Sequence, residues 1–223
     1  MRAVAIRLKF PRVQTAVIEM KHSTTGHTAT LVAMCHQSTQ EYFALMRAEV
    51  ELLLERGTTV FSEAAQIDKD GICTESADAM RKAMNKDTFD NGLTSQDREF
   101  QLSGLVDCDA PFEGSERTLA EVSRVMNSMA KHAGVPHGRA DEVFTVLVQC
   151  WVAPLLNRLT PVGRAIVGNR DKHVVRTVQK SFAEQPKDFG IVYGAMHMNG
   201  IMRGLKRMGY RRVGIRWVTA FEI

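Results

Sequence analysis

The sequence predicts an α/β fold: a mixed central β-sheet flanked by helices, with a helical cap or insertion in the middle of the chain. Three observations predict it. Apolar runs of strand length alternate with segments of helical period, as layered α/β domains require. The run Phe189 to Tyr193 (FGIVY) is apolar throughout, the pattern of a strand covered on both faces. The closing segment Arg212 to Ile223 instead places Val213, Ile215, Trp217, Phe221 and Ile223 on one alternating set, the pattern of a strand with a single buried face.

Taken in order, Thr15 to Lys21 and Thr28 to Cys35 read as two strands separated by the turn-like segment His22 to His27. A helix follows. Ser38 with Glu41 three residues later forms a capping box, Tyr42, Leu45, Met46, Leu52 and Leu53 recur at helical spacing, and Gly57 stops it. Thr58 to Ser62 is a short β-rich run and Gly104 to Asp107 a weaker one. Between them, 68–102 is charged, holds a helical pattern around Glu75 to Lys86, and reads as the cap over the sheet. Ser115 opens a helix with Gly134 just beyond its end, and Arg139 to Arg158 is apolar enough for a buried helix. Thr160-Pro161 is an N-cap with proline at the first helical position, opening a long helix toward Gln185. After the FGIVY strand, a short helix from about Gly200 to Met208 leads into the final strand. No linker divides the chain, so 1–223 is read as one domain.

Composition narrows the function classes. The chain has 223 residues, 44% hydrophobic and 24% charged, which is globular composition rather than disorder. Its net charge of +4, from 29 Lys and Arg against 25 Asp and Glu, is spread along the chain with acids interleaved. Only 7% of residues are aromatic, so no basic stripe interleaved with aromatics points to nucleic acid, which ranks last among partners. Val143 to Leu156 is too short and too interrupted to span a bilayer, so no membrane partner is expected. Arg7, Lys9 and Arg12 break any signal-peptide core, and Cys35, Cys73, Cys108 and Cys150 show no CxxC spacing. The expectation is a cytoplasmic protein with free thiols, its oligomeric state (a homo-oligomer included) left open.

Four strand-like runs end in a residue able to bind metal or move protons. VAMC runs into His36, VFS into Glu63, LVDC into Asp109, and VYGAM into His197. Ligands of open α/β sheets bind outside the carboxyl ends of parallel strands. If these strands are parallel neighbours, two imidazoles and two carboxylates converge there. Such a set suits Zn, Mn, Fe or Co. Each residue also has a purely structural reading. His36 serves equally as a loop residue beside a helix cap, and His197 as part of a tight turn before a helix. Glu63 serves as half of a buried ion pair, and Asp109, in CDAPFEG, as a turn cap. Gly194 and Gly200 flank His197 and would admit close backbone approach to a ligand. Arg170 by default makes an exposed helical ion pair, and Cys35 and Cys108 pack in the interior.

Two of these segments resemble the paired GxxH motifs of the TraB/TIKI superfamily, which includes the GumN-like proteins and is related to erythromycin esterases and ChaN haem-binding proteins. The C-terminal copy is Gly194-Ala195-Met196-His197. The N-terminal copy is Ala33-Met34-Cys35-His36, with alanine in place of glycine. Val60-Phe61-Ser62-Glu63 is similar to the family's strand ending in glutamate, and Asn169-Arg170-Asp171 to its arginine-bearing helix. The order of these motifs covers nearly the whole chain. The resemblance implies a cleft at one sheet edge gathering His36, His197, Glu63 and Arg170.

The expected function is a metal-assisted hydrolase of an amide or ester bond in a small-molecule or peptide substrate. His36 and His197 would hold a divalent ion (Mn, Co, Fe or Zn), or one of them would act as general base. Glu63 would be a further ligand or proton carrier. Arg170 would stabilise an oxyanion or bind a substrate carboxylate, with Gly194 and Asp109 at the substrate. The alternative is a non-catalytic module holding a small ligand, haem or a peptide in the same cleft, with Met196 and Met198 as soft neighbours of His197.

Overall fold

Residues 5–9, 11–63, 93–108, 167–184 and 186–222 are described by a computed structural model. The N-terminal part runs β1 (Ile6–Lys9), β2 (Arg12–His22), β3 (Thr28–Met34), β4 (Gln37–Ser38), α1 (Gln40–Glu55) and β5 (Thr59–Ser62). Next come β6 (Thr94–Ser95), α2 (Gln96–Glu99) and β7 (Val106–Asp107). The C-terminal part runs α3 (Asn169–Glu184), β8 (Phe189–Gly194), α4 (Met198–Arg207) and β9 (Tyr210–Glu222).

Among the described residues, seven strands form one mixed sheet in the order β1-β2-β3-β8-β5-β7, with β9 paired to β2. β9, β1 and β3 all run antiparallel to β2, whereas β3, β8, β5 and β7 are mutually parallel neighbours. A second sheet, among the described residues, joins β4 and β6. Burial is greatest in the central parallel strands β3, β8 and β5, while β7 at the edge is exposed. Every residue of β8 is buried, and Leu31, Val32, Val60 and Ile191 are wholly enclosed. An apolar run such as FGIVY has no polar side chain to spare for a solvated face, so it is stable only between two covering layers.

Among the described residues the predicted elements are recovered with ends displaced by up to three residues, β2 beginning at Arg12 rather than Thr15, and β1, β4, β6 and α2 are additions the sequence pattern did not mark. The β2–β3 turn depends on Gly26, whose φ of 74° is costly for any residue with a Cβ. His22 stabilises that turn: its Nδ1 accepts from the Thr24 and Thr25 amides while Nε2 contacts the Met208 carbonyl at 2.8 Å.

Three expectations need correction. The N-cap of α1 is Thr39, whose hydroxyl accepts from the Tyr42 amide, not Ser38. Ser38 belongs to β4 and donates instead to the Ala220 carbonyl at 2.6 Å. The core face of α1 is Tyr42, Phe43, Met46 and Val50, whereas Leu45 and Leu52 are 58% and 42% exposed. Both arcs fit the same leucine-rich string, and packing selects the one carrying the aromatics. In β9, Val213 and Ile215 are exposed rather than buried. The cause is visible in the register: Glu19 pairs with Gly214 but Met20 with Arg212, and Val13 pairs with Phe221 but Gln14 with Thr219. Val213 and Ala220 are therefore bulged residues. Each bulge inverts the alternation, so Val218 and Phe221, of opposite parity, share a face.

The helical patterns at 75–86, 115–134 and 139–158, and the start of the long helix at Thr160, lie outside the described residues. Within 68–102, the described end is β6, α2 and the residues after it. Cys35 and Cys108 are buried, as expected, and Cys108 Sγ donates to the Ser62 carbonyl at 3.4 Å. Among the described residues, no helix is long and apolar enough to cross a membrane.

Candidate functional site

The parallel order β3-β8-β5 brings three of the predicted strand-end residues to one sheet edge. His36 follows β3, Glu63 follows β5, and Gly194 and His197 end and follow β8, the strand between them. The ladder continues past each strand. The Ala195 amide donates to the Met34 carbonyl at 2.8 Å, and the Glu63 amide to the Val192 carbonyl at 3.0 Å. Asp109 lies just beyond β7, outside the described residues.

The backbone before His36 is fixed from two sides. Tyr42 of α1 is buried under it. Its hydroxyl accepts from the Cys35 amide at 3.0 Å, donates to the Ala33 carbonyl at 3.2 Å, and meets Thr15 Oγ1 at 2.9 Å. Burial pushes this phenol well above the usual tyrosine range, so it stays neutral and keeps its proton for Ala33. On the other side the Gln96 amide donates to the His36 carbonyl at 2.8 Å.

Glu63 is the electrostatic centre of the site, its side chain only 9% exposed. Arg170 Nη2 donates to Oε1 at 2.5 Å and the Gly194 amide donates to Oε2 at 2.7 Å. His36 Nε2 stands 4.0 Å from Oε2. Burial alone would raise the carboxyl. The neighbouring charges of His36, Arg170 and His197 and the Gly194 amide outweigh it and hold Glu63 down at about 2. Arg170 was expected from sequence to sit in an exposed helical pair by default. Here its side chain is 17% exposed, and its guanidinium reaches across to Glu63 with its carbon 5.5 Å from the Tyr193 ring centre.

Gly194 is the point on which these groups close. A Cβ built there would lie 3.0 Å from His36 Nε2, 3.1 Å from Glu63 Oε2 and 3.5 Å from His197 Cδ2. Any side chain would occupy the space the three functional groups share. Ala33, three residues before His36, meets no such demand. It pairs with Tyr193, not Gly194. By strand alternation its methyl points to the opposite face, into the core, where it is fully buried.

His197 is 1% exposed and hydrogen-bonded through Nδ1 to Asp171 Oδ1 at 2.8 Å. Its ring stands edge-on to Tyr193, with centres 5.0 Å apart. Burial pushes the Asp171 carboxyl up, while the His197 hydrogen bond and the charges of His197, Arg170 and Arg203 pull it back. Asp171 was not singled out from sequence. The available signal was its position beside Arg170 in the first turn of α3, one residue on from a predicted site residue. Its room comes from α4, since a Cβ on Gly200 would overlap the Asp171 carboxylate and one on Gly204 would overlap Val175. Two glycines four residues apart thus let α4 lie directly against α3.

Among the described residues, no three His, Cys, Asp or Glu side chains come together as a group able to hold an ion. Glu63 already carries the Arg170 cation on one oxygen, and a guanidinium there repels the charge a divalent ion would bring. Met198, beside His197 in the chain, is buried in the core.

Fold and site together define a mixed α/β protein with a compact polar cluster at the carboxyl ends of its parallel strands. No family model, no curated protein and no solved structure matches this chain.

Proposed function

We propose that the cluster hydrolyses an amide or ester bond, with His36 as general base toward a water molecule. The observation that supports this reading is the meeting of His36 Nε2 and the ionised Glu63 Oε2 over the bare Cα of Gly194. His36 is the solvent-facing member of the cluster, its side chain 33% exposed. The 4.0 Å between Nε2 and Oε2 is too long for a direct hydrogen bond and suits a water shared by both. His36 takes that water's proton as its oxygen attacks the acyl carbon. Glu63 stabilises the imidazolium that results, and the proton then passes to the departing alcohol or amine. Arg170 holds Glu63 ionised and adds positive potential where the oxyanion forms. The order of motifs that resembles the TraB/TIKI superfamily supports the same set of residues. Arg170 already answers the Glu63 charge.

A panel of nitrophenyl esters, lactones and short peptides, offered to protein dialysed against chelator, tests the reading. His36→Asn is expected to lower turnover by roughly 10²- to 10⁴-fold with the thermal midpoint unchanged, as for loss of a general base. Equal turnover in a folded His36→Asn protein would reject His36 as the base. Stoichiometric metal that is lost in both His36→Ala and His197→Ala would overturn the ion-free form of the step.

A further inference from the structure

We infer that Asp171 is a positioning residue that locks His197 as its Nδ1–H tautomer, so that the lone pair at Nε2 is presented to the cluster. The inference rests on the hydrolase reading only for its catalytic consequence. Three observations carry it. First, the 2.8 Å contact joins Nδ1 to Oδ1 between two largely enclosed side chains. An ionised carboxylate has no hydrogen to give, so the hydrogen in that contact is on Nδ1. A neutral imidazole protonated at Nδ1 is bare at Nε2. Second, the ring is oriented. Nδ1 and Cδ2 lie on opposite edges of an imidazole, and Cδ2 is the atom that comes nearest the site of a Gly194 Cβ, beside His36 Nε2 and Glu63 Oε2. Nε2 is bonded to Cδ2, so the bare nitrogen lies on the edge turned toward the cluster. Third, the contact is built in by the helix pair. Gly200 leaves a space that the Asp171 carboxylate fills, and any larger residue there would displace it.

Within the proposed reaction His197 then accepts at Nε2. It can take a proton from the cluster and return it to the leaving group, while Asp171 holds the charge that appears on its ring. His197 and His36 therefore divide the work: one is buried and fixed in tautomer by a carboxylate, the other faces solvent beside Glu63.

The test is the tautomer itself, read from long-range imidazole ¹H–¹⁵N correlations of the full-length labelled protein, with His197 assigned through bonds from its own Cβ. The expected wild-type pattern is Nδ1 protonated and Nε2 bare. Asp171→Asn offers an amide that can donate as well as accept. It is expected to move His197 toward the Nε2–H form and to lower kcat by roughly 10²-fold with KM changed by less than about threefold. An Nε2–H pattern in the wild type, or an Asp171→Asn protein whose His197 stays wholly Nδ1–H, would overturn the assignment. Failure of the hydrolase reading looks different: no substrate is turned over by the wild type, while the tautomer pattern still reports on Asp171.

Discussion

Replacing Glu63 with leucine is expected to cost the fold roughly 3–5 kcal/mol, the penalty of removing one partner from a buried ion pair. The Arg170 guanidinium would lose the carboxylate it binds, and the Gly194 amide would lose its acceptor at the end of the central strand. Denaturant unfolding at neutral pH measures this loss, and a variant within about 1 kcal/mol of wild type would show that the pair is dispensable. The same residue predicts an acid limb. Because folding lowers the Glu63 carboxyl from 4.5 to about 2, its stabilisation is full above 4.5 and is lost as pH falls toward 2. It amounts to at most about 3 kcal/mol. Asp171, shifted upward from 3.8 by burial, acts in the opposite sense from that value upward, in the upper part of that window and above it. Glu63→Gln should therefore flatten the dependence of unfolding free energy on pH between 4.5 and 2. An equally steep limb in that variant would place the acid sensitivity elsewhere.

The second large effect is expected at Gly194. Alanine there brings a methyl to 3.0 Å from His36 Nε2 and 3.1 Å from Glu63 Oε2, closer than ordinary contact, so both groups must retreat by a few tenths of an ångström. Loss of stability should be modest, of order 1 kcal/mol, because one methyl is added at the rim of the core. The expected loss of turnover is far larger, roughly 10²-fold, because the methyl fills the space over Gly194 in which the shared water would stand between His36 and Glu63. The pair of measurements is kcat beside the thermal midpoint. A folded Gly194→Ala protein with wild-type kcat would show that the space over Gly194 is not where chemistry happens.

Much of this arrangement is legible in the sequence because it rests on strand ends. Alternation and apolar runs locate β3, β5 and β8, and residues just past such runs fall at one sheet edge once the strands are parallel. His36, Glu63 and His197 follow from that rule alone. What the rule could not supply is the pairing of groups from elements far apart in the chain. Arg170 and Glu63 are separated by 107 positions, and helical spacing around Arg170 points only to neighbours on its own helix, His173 and Val174. Asp171 escaped for the same reason, since its partner lies 26 residues on and its seat depends on two glycines of another helix. The β9 face was misread because bulges at Val213 and Ala220 are properties of pairing with β2, and no local pattern marks them. The α1 cap was misplaced by one residue because Ser38 and Thr39 are both good N-caps. A carbonyl on β9 claims Ser38 and leaves Thr39 for the helix.

The measurement that bears most directly on the central claim is a single turnover in H₂¹⁸O, using the ester or amide cleaved fastest in the panel and chelator-dialysed protein. A water activated by His36 predicts one ¹⁸O in the carboxylate product from the first turnover, with no product from His36→Asn on the same timescale. An unlabelled first-turnover product would mean that an enzyme oxygen, such as a Glu63 carboxylate oxygen, attacks first. That result would contradict the account.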